Sequence, residues 1–476
     1  MTTAAAATPP SPGPAPASGP APAPASGGLR IVRIANFVAP ASGGLRTALR
    51  ELGAGYLAAG HEPVLIVPGP SHDDRRTAQG RVITLPGPVV PGSGGYRVLT
   101  GRRRLAALLE SLAPDRLEVS DRTTLRWTGE WARHHRIPAV MVSHESVDGV
   151  LDAWGLPAGL TRPAADRLNR RTAYAYTRVV CTTEWAAREF ARVGARNVVR
   201  APLGVDLERC HPKLYDAVLR RELAGEAPVM LALCSRLHPE KRPDLALDAL
   251  AALRDRGADA VLVVAGDGPL SGRLRRRAAE RRLPVRFTGY IGDPAKLAAL
   301  QACADVVLAP GPAETFGLAA LEALACGTPV VASSRSAVPE LLGDAGAVAD
   351  STGVSYADGV QLLLERPAAA RRAAARERAE RYPWRAAVDA FLTAHDALPA
   401  GTRGAVPAGA AARAATGPRS GPAAEGAAPA PLPTGPPVPA EGPAARRPAG
   451  PERPPARPAR RAERQDRPTS ASGGHR

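Results

Sequence analysis

From Leu29 to about residue 398, short runs rich in β-branched residues alternate with stretches of helical period, and this alternation fixes the fold class. The runs are Ile31–Val38, Pro63–Val67, Val82–Leu85, Arg116–Ser120, Ala139–Ser143, Val179–Thr182 and Val198–Pro202. Between them lie apolar-periodic segments such as Thr47–Ala59, Arg103–Leu112, Leu125–His135 and Glu184–Val193. Strands and helices alternating at this spacing predict a parallel sheet with helices on both faces. Leu203–Leu223 breaks the rhythm and reads as a linker. A second series then runs through Val229–Cys234, Ala260–Ala265, Val285–Tyr290, Val306–Ala309 and Pro329–Ala332, with helices at Asp244–Arg254, Ala295–Cys303 and Leu318–Ala325. The expected architecture is α/β, two doubly wound Rossmann-like domains facing a central cleft, where the carboxyl ends of open sheets bind ligands.

Both ends of the chain depart from this pattern. Residues 1–28 contain only Met, Thr, Ala, Pro, Ser and Gly, and the segment from 400 onward is Ala/Pro/Gly-rich with scattered arginines. Such composition buries too little apolar surface to offset its ordering entropy, so a disordered leader (1–29) and tail (400–476) are expected. The net charge is +17, of which the tail supplies +7 through twelve Arg against five acidic residues. The remaining excess favours anionic partners such as phosphorylated substrates or acidic lipid. High-GC composition accounts for it equally well, since only three lysines occur: Lys213, Lys241 and Lys296.

Five widely spaced cysteines, without a C-x-x-C pair, exclude a disulfide framework and read as small core residues. The leader lacks a basic start and an apolar stretch, and no apolar run is long enough to span a bilayer. The expected location is cytoplasmic, with peripheral contact to the inner face of the plasma membrane allowed. Gly101-Arg102-Arg103-Arg104-Leu105, opening a helix with Leu108 and Leu109, reads either as a basic face against anionic lipid or as a surface helix packed on the sheet.

Candidate chemistry concentrates at strand ends. In the first series, Ser42-Gly43-Gly44-Leu45-Arg46 joins a strand to a helix, where paired glycines admit a ligand to the backbone. His144, in Val142-Ser143-His144-Glu145, ends another strand and faces the expected cleft. In the second series, Arg236 and Lys241 bracket the loop before a helix and place two cations at its N-terminus, a geometry suited to a diphosphate. Gly266-Asp267-Gly268-Pro269 makes a turn against which a ligand can lie. Most informative is Glu314-Thr315-Phe316-Gly317-Leu318, followed by Glu322. The amides of Phe316–Leu318 open a helix toward a phosphate or sugar oxygen, and a carboxylate on an Ala/Leu helix needs hydroxyl partners to be buried.

Glu314-x7-Glu322, with Arg236-x4-Lys241 upstream and Gly266-Asp267-Gly268-Pro269 between, resembles the retaining glycosyltransferases of family 4, which have the GT-B fold. The resemblance covers about residues 30–398 and includes Pro202-Leu203-Gly204-Val205-Asp206 and Tyr382-Pro383-Trp384. It implies an N-terminal acceptor-side domain (30–205), a nucleotide-sugar-binding domain (206–385) and a C-terminal helix (386–399) crossing back. It further implies that Arg236 and Lys241 bind the donor diphosphate, Glu322 the ribose, and Glu314 the transferred sugar beside the amides of Phe316, Gly317 and Leu318. Gly44 would close over the phosphates, Gly43 and Gly266 would take part in donor binding, His144 would reach the sugar near the reacting carbon, and Tyr290-Ile291 would edge the base pocket. Ser235 departs from the glycine many relatives carry.

The implied donor is GDP-mannose or a UDP-hexose, and the implied acceptor a lipid-linked molecule, a glycan or a polyol phosphate. No nucleic-acid partner is expected. Without Asp-x-Asp or a His/Cys cluster of metal spacing, no obligatory metal or cofactor is expected. Two other classes compete: another GT-B sugar-nucleotide enzyme (epimerase or phosphorylase), and a non-catalytic scaffold working through its basic tail.

Overall fold

A computed structural model describes residues 28–38, 43–91, 95–144, 146–148 and 158–398. The tail and all but the last two residues of the leader lie outside the described residues, as do Ser42 and Glu145.

The first sheet comprises β1 (Arg30–Ile34), β2 (Glu62–Gly69), β3 (Asp73–Thr77), β4 (Gly80–Pro86), β5 (Arg116–Val119), β6 (Ala139–Ser143), β7 (Arg178–Cys181) and β8 (Val198–Arg200). Its strand order is β3-β4-β2-β1-β5-β6-β7-β8, and every pair is parallel except β3–β4. The second sheet is wholly parallel, in the order β11-β10-β9-β12-β13-β14. Its strands are β9 (Val229–Cys234), β10 (Ala260–Ala265), β11 (Val285–Gly289), β12 (Val306–Ala309), β13 (Val330–Ser333) and β14 (Gly346–Ala349). Helices cover the faces of each sheet, so the central strands read as unbroken apolar runs: every residue of β6 and β10 is buried.

Two expectations need correction. The antiparallel β3 interrupts an otherwise parallel first sheet, and its charged sequence DDRRT is exposed at the edge, stabilised by pairing with β4 rather than by burial. The segment read as a linker also contains structure. Asp216 caps a helix at Ala217–Ala224 by accepting from the amides of Val218 and Leu219 at 2.8 and 3.2 Å. That helix buries only Leu223 and Ala224, so it shows no apolar stripe in the sequence.

The helix Arg102–Leu112 turns Leu105, Leu109 and Leu112 into the core and leaves Arg102, Arg103 and Arg104 exposed. Its apolar face is therefore committed to the sheet. All five cysteines are buried.

The last described helix, Trp384–Ala394, packs against Gly44–Ala58 of the first half. The chain enters it where the Val205 amide donates to the Tyr382 carbonyl at 2.8 Å. It leaves at His395, whose Nε2 lies 3.1 Å from the Glu118 carboxylate. Glu118 also accepts from Arg33 at 2.8 Å and from the Tyr56 hydroxyl at 2.7 Å. All four side chains are buried.

Candidate active site

In the second sheet the chain leaves β9 toward β10 on one side and returns to β12 on the other. That reversal opens a crevice at the carboxyl ends of β9 and β12, where doubly wound sheets take their ligands. Two loops line it. After β9, Ser235–Arg242 ends in a short 3₁₀ turn at Pro239–Lys241, and Pro243 opens the next helix. After β12, the loop runs to Gly317, which caps the helix Leu318–Ala325. They meet where the Lys241 ammonium donates to the Glu314 carboxylate. The Arg236 guanidinium lies 3.5 Å from Glu240 and over the Tyr96 ring of the first half, 5.3 Å from its centroid. The two cations expected together at one helix N-terminus thus each face a carboxylate of their own.

The loop after β10 closes onto the same crevice. The Ser235 amide donates to the Ala265 carbonyl at 3.2 Å and the Leu237 amide to the Asp267 carbonyl at 2.9 Å. A side chain at Gly266, whose φ is +150°, would place its Cβ 1.9 Å from the Ser235 carbonyl oxygen. Glycine is needed here for backbone-to-backbone contact, a reason the sequence could not separate from contact with a ligand.

The helix Leu318–Ala325 points its N-terminus into the cleft. Gly317 takes a left-handed φ of +88°. Among the described residues, none accepts from the amides of Phe316, Gly317 and Leu318, which leaves a positive helix end facing the opposite half. The Phe316 ring turns away and packs edge-on against Tyr382, at 6.4 Å between centroids. Glu322 lies one turn further along a helix whose other residues are mostly buried. Among the described residues nothing donates to its carboxylate. Burial raises its pKa to about 7, partly opposed by the positive charges of Arg209 and Arg50.

Across the cleft, Gly44 sits against Leu318: a Cβ on it would be 3.4 Å from Leu318 Cδ1. Gly43, with φ of +138°, precedes it as N-cap of the helix Gly44–Ala58, so two helix N-termini face one space. His144 directly follows β6 with its Nε2 3.2 Å from the Ser120 hydroxyl, and its carbonyl accepts from the Thr315 hydroxyl. Desolvation lowers the imidazole pKa to about 4, so the ring is neutral at neutral pH. Thr183 donates to the Thr315 carbonyl at 2.8 Å. Glu340, on the short helix Val338–Leu342, accepts from the amides of Glu184 and Trp185 at 2.9 and 3.1 Å. Tyr290 and Ile291 follow β11 at the rim, Tyr290 about half exposed and Ile291 packed on the core.

The expected site residues therefore follow the carboxyl ends of strands in the two sheets, Glu322 one turn into a helix, with Lys241–Glu314 and Gly44–Leu318 in contact. Sequence reasoning passed over Tyr96, Thr183 and Glu340, and quoted Thr315 without giving it a role. Tyr96 carried one visible signal, an aromatic residue directly after a Gly/Ser/Pro stretch.

The family profile described as Glycosyltransferase Family 4 matches residues 42–209, and that described as Glycosyl transferases group 1 matches 219–382. A GDP-mannose-dependent alpha-(1-6)-phosphatidylinositol dimannoside mannosyltransferase of Mycobacterium tuberculosis is 49% identical over 378 residues, 79% of this chain and 98% of that protein. The chain belongs to glycosyltransferase family 4. Among solved structures, Anabaena HepE in complex with UDP and glucose superposes with a TM-score of 0.62 at 17% identity, covering 78% of this chain and all of that one. Sucrose-phosphate synthase of Thermosynechococcus elongatus gives 0.62 at 20% identity, covering 77% and 98%. Both likenesses establish the GT-B fold. As a family 4 member the chain is a hexosyl-transferring enzyme, which sets aside the epimerase, phosphorylase and scaffold readings. Among the described residues no helix is long and apolar enough to cross a membrane.

Proposed function

We propose that the enzyme transfers a mannosyl group from GDP-mannose to a phosphatidylinositol mannoside, with an α-(1-6) linkage in the product. The observation that carries this reading is the 49% identity over 98% of a relative named for that reaction. Under it, residues 30–205 form the acceptor side and 206–385 the donor side, and the helix Trp384–Ala394 leads the chain back to the acceptor side.

The chemistry the site must perform is departure of a diphosphate from the anomeric carbon. Arg236 and Lys241 neutralise the charge that develops on the leaving oxygens, the task a preorganised electrostatic site does best. The free amides of Phe316–Leu318 and the paired helix ends at Gly43, Gly44 and Leu318 add donors and positive potential on the same side. Gly266 brings the turn after β10 against Ser235, beside the same phosphates. Glu322 accepts from the ribose hydroxyls, which supplies the partners its carboxylate lacks among the described residues. Glu314, held by Lys241, contacts the hydroxyls of the transferred sugar, and Tyr290 and Ile291 edge the base. His144, neutral and anchored to Ser120, faces the sugar near its reacting carbon.

Transfer proceeds with retention. The acceptor hydroxyl attacks C1 on the face the diphosphate leaves, the C1–O bond to phosphate breaks, and the departing phosphate oxygen takes the hydroxyl proton. A lipid acceptor brings the enzyme to the membrane surface. The exposed Arg102, Arg103 and Arg104 meet anionic headgroups by charge alone, because the apolar face of their helix is buried.

The test is direct. Purified enzyme is incubated with GDP-mannose, UDP-glucose or UDP-N-acetylglucosamine and with phosphatidylinositol mono- or dimannoside in anionic vesicles, and products are read by mass spectrometry. A single added hexose from GDP-mannose alone supports the reading. Transfer only from a UDP-sugar, or none to either lipid, overturns it.

A further inference from the structure

The hairpin that follows β4 carries an aromatic side chain to the opposite half of the molecule. Its arms are joined by the Val90 amide donating to the Tyr96 carbonyl at 2.8 Å and by the Val98 amide donating to that of Pro88 at 3.2 Å. The returning arm is fixed to the end of β1. There the Phe37 amide donates to the Arg97 carbonyl at 3.3 Å, and the Leu99 amide to the Asn36 side-chain oxygen at 2.9 Å. Arg97 itself holds the Gly87 carbonyl at 2.6 Å. Phe37 adopts a φ of +57°, uncommon for an aromatic residue, and its ring meets that of Tyr96 edge-to-face with centroids 6.3 Å apart. The Tyr96 ring is thereby held in place from the first half, and the Arg236 guanidinium of the second half lies over it.

We propose that Tyr96 is a positioning residue for Arg236, reaching across the cleft to aim the donor-side guanidinium. The inference rests on the reading of Arg236 as a diphosphate cation. A guanidinium attracted to an aromatic face keeps its fork of N–H donors available at its edges, where phosphate oxygens can accept from it in pairs. Among the described residues of its own loop, the Arg236 guanidinium meets the Glu240 carboxylate, at 3.5 Å. Because Tyr96 belongs to the acceptor half, the orientation of Arg236 depends on the two halves being together, which ties closure of the cleft to grip on the leaving group.

The experiment measures GDP binding by calorimetry and GDP-mannose kinetics for the wild type, Tyr96→Ala, Tyr96→Phe, Arg236→Ala and the Tyr96→Ala/Arg236→Ala double variant. A melting curve of each free protein monitors the fold. A cation–π contact of ordinary strength predicts that Tyr96→Ala weakens GDP binding about 3- to 20-fold. Tyr96→Phe keeps the ring face and stays close to wild type. In the double variant, removing Tyr96 adds nothing to the loss caused by Arg236→Ala, the signature of one residue acting through another. Additive losses, or full GDP affinity in Tyr96→Ala, overturn the inference while leaving the donor site intact. Unchanged GDP binding in Arg236→Ala overturns the donor-site reading itself, and this inference with it.

Discussion

The Lys241 ammonium donates to the Glu314 carboxylate, joining the loop after β9 to the loop after β12 across the crevice between them. The contact sets a cation where two strands diverge and restrains the loop that leads to Gly317. Only three lysines occur in a chain dominated by arginine, and this one makes a compact, single-point contact.

Under the proposed function, Lys241→Ala removes both a leaving-group cation and the partner of Glu314. Loss of one preorganised donor costs about 3 kcal/mol, so turnover is expected to fall about 10²- to 10³-fold. Lys241→Arg is not expected to restore it, because a planar fork cannot replace a point charge in the same space. Steady-state kinetics with saturating donor checks both variants; unchanged turnover in Lys241→Ala would sink the assignment.

Glu322 gives a prediction with a definite sign. Its folded-state pKa of about 7 lies above the ordinary 4.5, so the folded protein holds a proton that the unfolded chain has lost. The stability this contributes is present below the unfolded value and is lost as pH rises through the folded one. In the proposed donor site ribose hydroxyls donate to the ionised form, so nucleotide affinity should strengthen from about pH 6 to about pH 8. Glu322→Gln removes that component, while titration of the nucleotide's own phosphates persists in both proteins and cancels in the comparison. Calorimetry across this range reads the difference, and parallel pH profiles would remove Glu322 from the ribose.

The limits of β6, β9, β10, β12 and the helix Leu318–Ala325 coincide with those expected from sequence, because these elements are apolar runs with clear breaks on either side. The elements that escaped notice lack that signal. β3 is charged and defined by its neighbour, while Ser271–Glu280 is an arginine-rich helix that buries only Leu274 and Ala278. The contact of Lys241 with Glu314 joins two strings that were legible for a related reason: both follow strand ends and have unusual composition. The contacts from the other half were not. Thr183 to Thr315 spans 132 residues and His144 to Thr315 spans 171, separations at which no local pattern links partners.

Gly317 tests how tightly the start of the helix Leu318–Ala325 is constrained. Its left-handed backbone disfavours any side chain, and a Cβ there would lie 2.6 Å from Val338 Cγ2. Gly317→Ala is expected to cost about 1–3 kcal/mol of stability and to weaken nucleotide binding through displaced amides. Adding Val338→Ala relieves the contact but not the backbone strain, so the double variant should recover binding in part. Thermal and chemical unfolding with GDP titration separates the two contributions; an alanine tolerated without loss would mean that the helix start is not fixed.

Arg33, Tyr56, Glu118 and His395 meet in the interior, joining β1, β5, the helix Gly44–Ala58 and the residue that ends the return helix. Burial alone would raise the Glu118 carboxyl, but the charge of Arg33, with His395 beside it, holds it well below the usual carboxylate range. Arg33 also donates to the Leu49 carbonyl at 2.6 Å, within the helix whose N-terminus carries Gly44 toward Leu318. Glu118→Gln leaves a buried guanidinium without its counter-charge and is expected to cost about 3–5 kcal/mol. A depressed carboxyl contributes stability that is present above its unfolded value and lost as pH falls through its folded one. The variant should therefore lose stability at neutral pH and lose less than the wild type on further acidification. Replacing Arg33 and Glu118 together with Met and Leu removes both charges and should recover much of the loss, as buried pairs exchanged for apolar side chains commonly do. Denaturant unfolding across pH measures all three proteins; a Glu118→Gln protein as stable as wild type would show that the return helix is held by its apolar packing alone.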